Sequence, residues 1–151
     1  MPATAWYFAY ASNMNRAQMR ARAGELLDDR PARLENYELV FNKKARGGNA
    51  HANIRPAQGQ VVEGVLYKIN ESAFRALDRA EGVPEHYRRI EVTVRDASGQ
   101  SVAAQVYIAM KVEKSSLRPA AHYLKTILDG AAEHNLPAEY VEKIQAAATG
   151  G

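Results

Sequence analysis

The 151-residue chain contains no cysteine. That removes disulfides, thiolate nucleophiles and cysteine-ligated zinc together, and it fits a reducing compartment. No apolar run approaches the roughly 20 residues that a membrane helix needs. The N-terminal segment also lacks the charged start and long apolar core of a secretory signal. The expectation is therefore a cytoplasmic protein with no membrane partner. Charge of one sign is scarce as well: 20 Lys and Arg stand against 17 Asp and Glu, a net charge of +3. The charges are interleaved, so no nucleic-acid partner is expected, and the slight cationic excess favours small anions at most. His51, His86, His122 and His134 are scattered, with no pair at the i, i+4 spacing of a helical zinc motif.

What is present is the balance of an ordinary globular protein, 46% hydrophobic and 25% charged. At this length one domain spanning 1–151 with one core is expected. Residues 5–11, AWYFAYA, have the length and apolarity of a strand. A short helix follows, with Asn15 as its N-cap and Gln18 three residues later, as in a capping box. Met19 and Ala23 would face inward, and Arg16, Arg20 and Arg22 outward. Residues 32–42 alternate at their end as a strand, and 43–51, KKARGGNAH, read as a solvated basic loop. ANI, 52–54, predicts a short strand that stops before Pro56. Residues 60–69 predict another, with Gly64 at a bend or bulge.

The segment 70–82 gives the clearest helix, capped by Asn70 and stopped by Gly82. Two strands flanking Ala97–Ser98–Gly99 read as a hairpin, and two helices close the chain, with Pro119 and Pro137 near their starts and a frayed TGG after them. Strands and helices do not alternate regularly, which points to an α+β fold with a curved antiparallel or mixed sheet.

One carboxylate falls on the wrong face of the 70–82 helix. At about 100° per residue with Phe74 at zero, Leu77 lies at about 300° and Glu81 at about 340°. Arg75, Arg79 and Ser72 lie opposite, between about 100° and about 160°. Glu81 thus sits inside the apolar stripe and at the negative end of the helix dipole. Burial and the dipole both raise a carboxyl pKa, and a carboxyl nearer neutrality can take a proton and return it. The alternative is that the helix end frays and Glu81 turns outward to Arg88 or Arg89.

Three stretches, YFAYASNMN (7–15), ALDRAEGVPEHYRRIEV (76–92) and HYLKTILDGAAEHNLPAEYVEKI (122–144), together resemble the gamma-glutamylcyclotransferase family. The resemblance is collinear from about Tyr7 to Ile144 and rests on the order and spacing of the three. It implies a small mixed β-barrel flanked by helices, an enzyme needing no cofactor, a small-molecule gamma-glutamyl substrate, and often a homodimer. The family's Tyr-Gly-Ser-Asn substrate loop corresponds to Tyr10, Ala11, Ser12 and Asn13, and its acid/base glutamate to Glu81. Further pocket tyrosines correspond to Tyr87, Tyr107 and Tyr123. Asn42 and the ANI segment also resemble family sequence near the pocket.

The implied reaction is intramolecular: the substrate's α-amine attacks its own γ-carbonyl, giving 5-oxoproline and a released amino acid or amine. One carboxyl of raised pKa could serve both proton transfers. Three other readings stay open: a gamma-glutamylamine cyclotransferase, a catalytically silent binder of a small anionic metabolite, and a small basic RNA-binding protein. The last lacks charge clustering. Where the family usually has glycine, this chain has Ala11, which predicts a negative φ there and a somewhat narrower site.

Overall fold

The computed structural model describes residues 3–149. The two glycines of the C-terminal TGG, expected to fray, lie outside that range. Five strands, β1 (Thr4–Ala9), β2 (Asp28–Lys44), β3 (Ala50–Asn70), β4 (Tyr87–Asp96) and β5 (Ser101–Ala109), close into a barrel in the order β1-β3-β2-β4-β5. All neighbours are antiparallel except β1 and β5, which meet in parallel at Tyr7 and Gln105. Helices α1 (Arg16–Ala23), α2 (Glu71–Glu81), α3 (Ala121–Glu133) and α4 (Ala138–Ala148) flank it. This is the mixed, closed α+β architecture expected, with β4 and β5 forming the expected hairpin.

Three strand expectations were too short: β2 extends beyond 32–42 at both ends, and 52–54 and 60–69 are parts of one strand. β3 does not stop at Pro56 but runs through it for 21 residues. Pro56 pairs with Tyr37 just past a register shift between Glu35 and Tyr37, where Asn36 has φ +65°. A proline is tolerated where the ladder is already interrupted. The shift interrupts the long β2–β3 pairing, which resumes between 37–44 and 50–56. Gly64 marks no bulge; its pairing with Ala32 is in register. It is glycine because a Cβ there would run into the carbonyl oxygen of Ala9 and the ring of Phe8.

The core is continuous. Phe8, Phe41, Leu66, Tyr67 and Ile54 from the strands pack in one cluster with Leu77, Ile127 and Ile144 from the helices. Met14 and Met19 are fully buried on either side of the first helix start. They anchor the connection between β1 and α1, a single 3-10 turn over Ser12–Met14. The Tyr67 hydroxyl donates to the Met14 carbonyl at 2.9 Å and fixes the turn from below. From outside, α3 lies on it so closely that a Cβ at Gly130 would sit 2.5 Å from the Asn15 nitrogen and 2.6 Å from the Met14 carbonyl carbon.

That contact is backbone on backbone and cannot yield by a side-chain rotation. Gly130→Ala should therefore lose about 1–3 kcal/mol in a urea titration, despite alanine's better helix propensity. An unchanged midpoint would mean that α3 does not rest on the turn.

Candidate active site

The site is built where β1 ends and α2 ends, because both termini open on one cavity of about 740 Å³. α2 begins as expected, with the Asn70 side chain accepting from the Ala73 N–H at 2.9 Å. It ends in a Schellman arrangement: Gly82 N–H donates to the Arg79 carbonyl at 3.2 Å and Val83 N–H to the Asp78 carbonyl at 3.0 Å. Gly82 has φ +68° and ψ +40°, the left-handed conformation that only glycine adopts cheaply. A firm helix end means Glu81 does not fray outward.

Its side chain is 17% exposed and faces the turn after β1. Asn13 Nδ2 donates to Glu81 Oε1 at 3.3 Å, and Arg22 Nη1 lies 3.8 Å from the same oxygen. Arg88 and Arg89 play no part; Arg89 instead lies 3.7 Å from Asp78 and over the Phe74 ring. Burial raises the Glu81 pKa above its ordinary 4.5, and Arg22 and then Asn13 offset part of the rise.

The residues expected from the sequence all line this cavity: Tyr10, Ala11, Ser12, Asn13, Glu81, Tyr87, Tyr107 and Tyr123. Ala11 has φ −136°, negative as expected, so the methyl group is accommodated without left-handed backbone. The tyrosine hydroxyls divide into two kinds. Tyr10 donates to the Tyr107 carbonyl at 2.7 Å, Tyr87 to the Ala52 carbonyl at 2.8 Å, and Tyr107 to Asp78 Oδ1 at 2.7 Å. Their protons are committed to the protein. Tyr123 instead accepts from the Ala52 N–H at 3.0 Å, and Tyr7 accepts from Asn13 Nδ2 at 3.0 Å. These two keep their own O–H free to donate. Burial raises the pKa of all five, so they remain neutral phenols.

Several site residues were missed or misread. Gln18 and Arg22 lie four apart on α1 and present one face to the turn. Gln18 Nε2 donates to Ser12 Oγ at 2.7 Å and to Asn13 Oδ1 at 3.1 Å, and Arg22 Nη1 to Asn13 Oδ1 at 3.2 Å. Arg22 is thus not simply solvated. Asn15 does cap α1, accepting from the Gln18 N–H at 3.2 Å, but the Gln18 side chain does not return to Asn15 as a capping box requires. The i, i+4 spacing was the available signal. The sequence marks Tyr7 only as part of a strand, whereas it begins a fully buried run and lines the cavity.

The segment 43–51 is not merely a solvated loop. Lys43 is 7% exposed and donates to the Met110 carbonyl at 2.8 Å, and residues from Lys43 to Ala52 form one cavity wall. The Ala52 backbone is held between Tyr87 and Tyr123, and Asn42 accepts from Asn53 Nδ2 at 3.2 Å. Among the described residues no cluster of His, Asp and Glu has the arrangement of a metal site, and no helix is long and apolar enough to cross a membrane.

Residues 61–144 match the model of the AIG2-like family. The chain is 34% identical to the gamma-glutamylcyclotransferase of Homo sapiens over 146 residues, covering 93% of this chain and 77% of the relative. It is likewise 34% identical to that of Bos taurus, covering 91% and 76%. A solved gamma-glutamyl cyclotransferase superposes with a TM-score of 0.88 at 32% identity, covering 95% of this chain and 88% of the other.

The raised carboxyl has a consequence for stability. Glu81 binds its proton more tightly folded than unfolded, so its contribution is greatest below the ordinary value of 4.5 and declines as pH rises through the raised value. Glu81→Gln should therefore be more stable than wild type in urea at pH 8, with the advantage shrinking at pH 4. A variant equally or less stable at pH 8 would show that the carboxylate is not strained by burial.

Proposed function

The chain belongs to the gamma-glutamylcyclotransferase family of enzymes, and from that premise we propose how its residues divide the work. The observation that carries the reading is a buried carboxyl of raised pKa, Glu81, hydrogen-bonded to the turn that follows β1. The substrate is a gamma-glutamyl compound, and the product 5-oxoproline. The substrate's α-ammonium gives a proton to the Glu81 carboxylate. The freed amine nitrogen then bonds to the γ-carbonyl carbon, closing a five-membered ring and placing negative charge on the carbonyl oxygen. The protonated Glu81 gives its proton to the amide nitrogen, the bond from carbon to that nitrogen breaks, and the carbonyl reforms. The regenerated carboxylate then takes the second proton from the ring nitrogen, leaving a neutral lactam, and passes it to the departing amine. The proton count closes on one residue.

The burial of Glu81 suits this double duty, because a carboxyl matched more closely to the operating pH both accepts and gives back a proton. Nucleophile and electrophile share one molecule, so holding them in register can contribute on the order of 7–11 kcal/mol. Tyr10, Ala11, Tyr87 and Tyr107 would shape the pocket for that closed geometry. Three of these tyrosines have already committed their protons, so they can only accept. Tyr7 and Tyr123 retain a free O–H and are the donors available to the α-carboxylate or the developing oxyanion. Ser12 and Asn13 begin the 3-10 turn, where the first N–H groups have no partner inside the turn.

A silent binder is the weaker reading. Binding an anion gains nothing from a desolvated carboxylate beside it, and the placement of Glu81 against Asn13 is the observation against it.

Purified protein incubated with gamma-glutamyl dipeptides should release 5-oxoproline, measured by chromatography. Glu81→Gln should fold, as judged by circular dichroism, and lose about 10²–10⁴-fold in rate. A folded variant within a few-fold of wild type would overturn the assignment.

A further inference from the structure

The cavity wall is far more one-sided in charge than the chain. The protein as a whole carries only three more cations than anions. Yet the cavity is lined by Arg22, Lys43, Lys44, Arg46 and Arg79 against a single carboxylate, Glu81. Arg22 already neighbours Glu81. Among the described residues, Lys43, Lys44, Arg46 and Arg79 have no carboxylate partner.

Lys43 is the most informative of them. It is 7% exposed, and its one hydrogen bond goes to a carbonyl, which is a dipole and not a counter-ion. Glu113 acts on it only from beyond ion-pair distance and Lys111 opposes that influence, so an anion arriving with a ligand would relieve the buried ammonium. Of the others, Lys44 ends β2, Arg46 lies in the turn that follows it, and Arg79 is on α2.

A bound gamma-glutamyl group does not consume this charge. It brings one α-ammonium and one α-carboxylate, and sums to zero. The excess therefore faces the remainder of the substrate, the part that leaves. Resting on the cyclotransferase reading above, we propose that this site selects gamma-glutamyl substrates whose leaving group is an acidic amino acid or acidic peptide, and disfavours cationic amines. A neutral leaving amino acid offers one carboxylate to four cations; an acidic one offers two or more. A leaving group with an extra ammonium is repelled by the same wall.

The test compares gamma-glutamyl-glutamate with gamma-glutamyl-glutamine, which are nearly the same size and differ by one charge, and with the isopeptide in which the gamma-glutamyl group is on the lysine ε-nitrogen. 5-Oxoproline release gives kcat/KM for each. At about 20 mM salt the glutamate substrate should exceed the glutamine one by roughly 5- to 20-fold, with the lysine substrate last. At about 0.5 M salt the ratio should fall toward one, since exposed charges are then screened within a few ångströms. In the double variant Lys44→Gln, Arg46→Gln the ratio should fall even at low salt.

A wild-type ratio of one or less, or lysine turned over faster than glutamate, would overturn the specificity while leaving the cyclotransferase reading intact. No 5-oxoproline from any of the three would remove the cyclotransferase reading and the specificity with it.

Discussion

The site depends on one side-chain amide. Asn13 lies at the middle of the 3-10 turn, donates to Tyr7 and Glu81, and accepts from Gln18 and Arg22. It therefore ties β1, α1 and the end of α2 into one network. An asparagine amide has two donor hydrogens and one acceptor oxygen, and here every one is used. Its two donors point at an oxygen that could otherwise turn to solvent and at a phenol that must keep its proton. No other residue type of that size supplies both donor and acceptor in one plane. The surrounding packing holds the amide still: Met14 and Met19 are buried beside it, Tyr67 grips the turn from within, and Gly130 lets α3 close over it.

Around that amide the protein holds a carboxyl in conflict with its surroundings. Burial opposes the charge on Glu81, while Arg22 and Asn13 favour it. The balance is set by residues from two separate elements, so the proton affinity of Glu81 is a property of the fold and not of its helix. The tyrosines serve a different end. Three are locked as donors to the protein, which makes them rigid walls, and two are left as donors toward the cavity. A pocket of fixed phenols and one adjustable proton suits an intramolecular reaction, where orientation carries most of the burden.

Much of this was legible in the sequence. The α2 periodicity alone marked Glu81 as displaced, because Phe74 and Leu77 define the buried stripe without any knowledge of partners. The N-cap roles of Asn15 and Asn70 and the αL stop at Gly82 follow from local chemistry and stand. What could not be read depends on long-range contact. Arg22 looks solvated by composition, and only the return of α2 against α1 gives it a partner. Lys43 belongs to a stretch rich in Lys, Arg and Gly, and is buried because the segment around Met110 folds over it. Pro56 looked like a strand stop because the register shift that accommodates it is a property of the paired strand, not of its own.

The central claim is that Arg22 and burial jointly set the proton affinity of a catalytic Glu81, and the pH dependence of kcat/KM tests it most directly. Besides burial, Arg22 also lowers the pKa of His51, which lines the cavity, so His51→Gln and the double variant His51→Gln, Arg22→Gln are measured alongside as the control. Wild type and Arg22→Gln are measured with one gamma-glutamyl dipeptide between pH 4 and pH 9. Removing the guanidinium withdraws an influence that lowers the Glu81 pKa, so the acid limb of the profile should move to higher pH. An acid limb that stays in place, or moves to lower pH, would contradict the account.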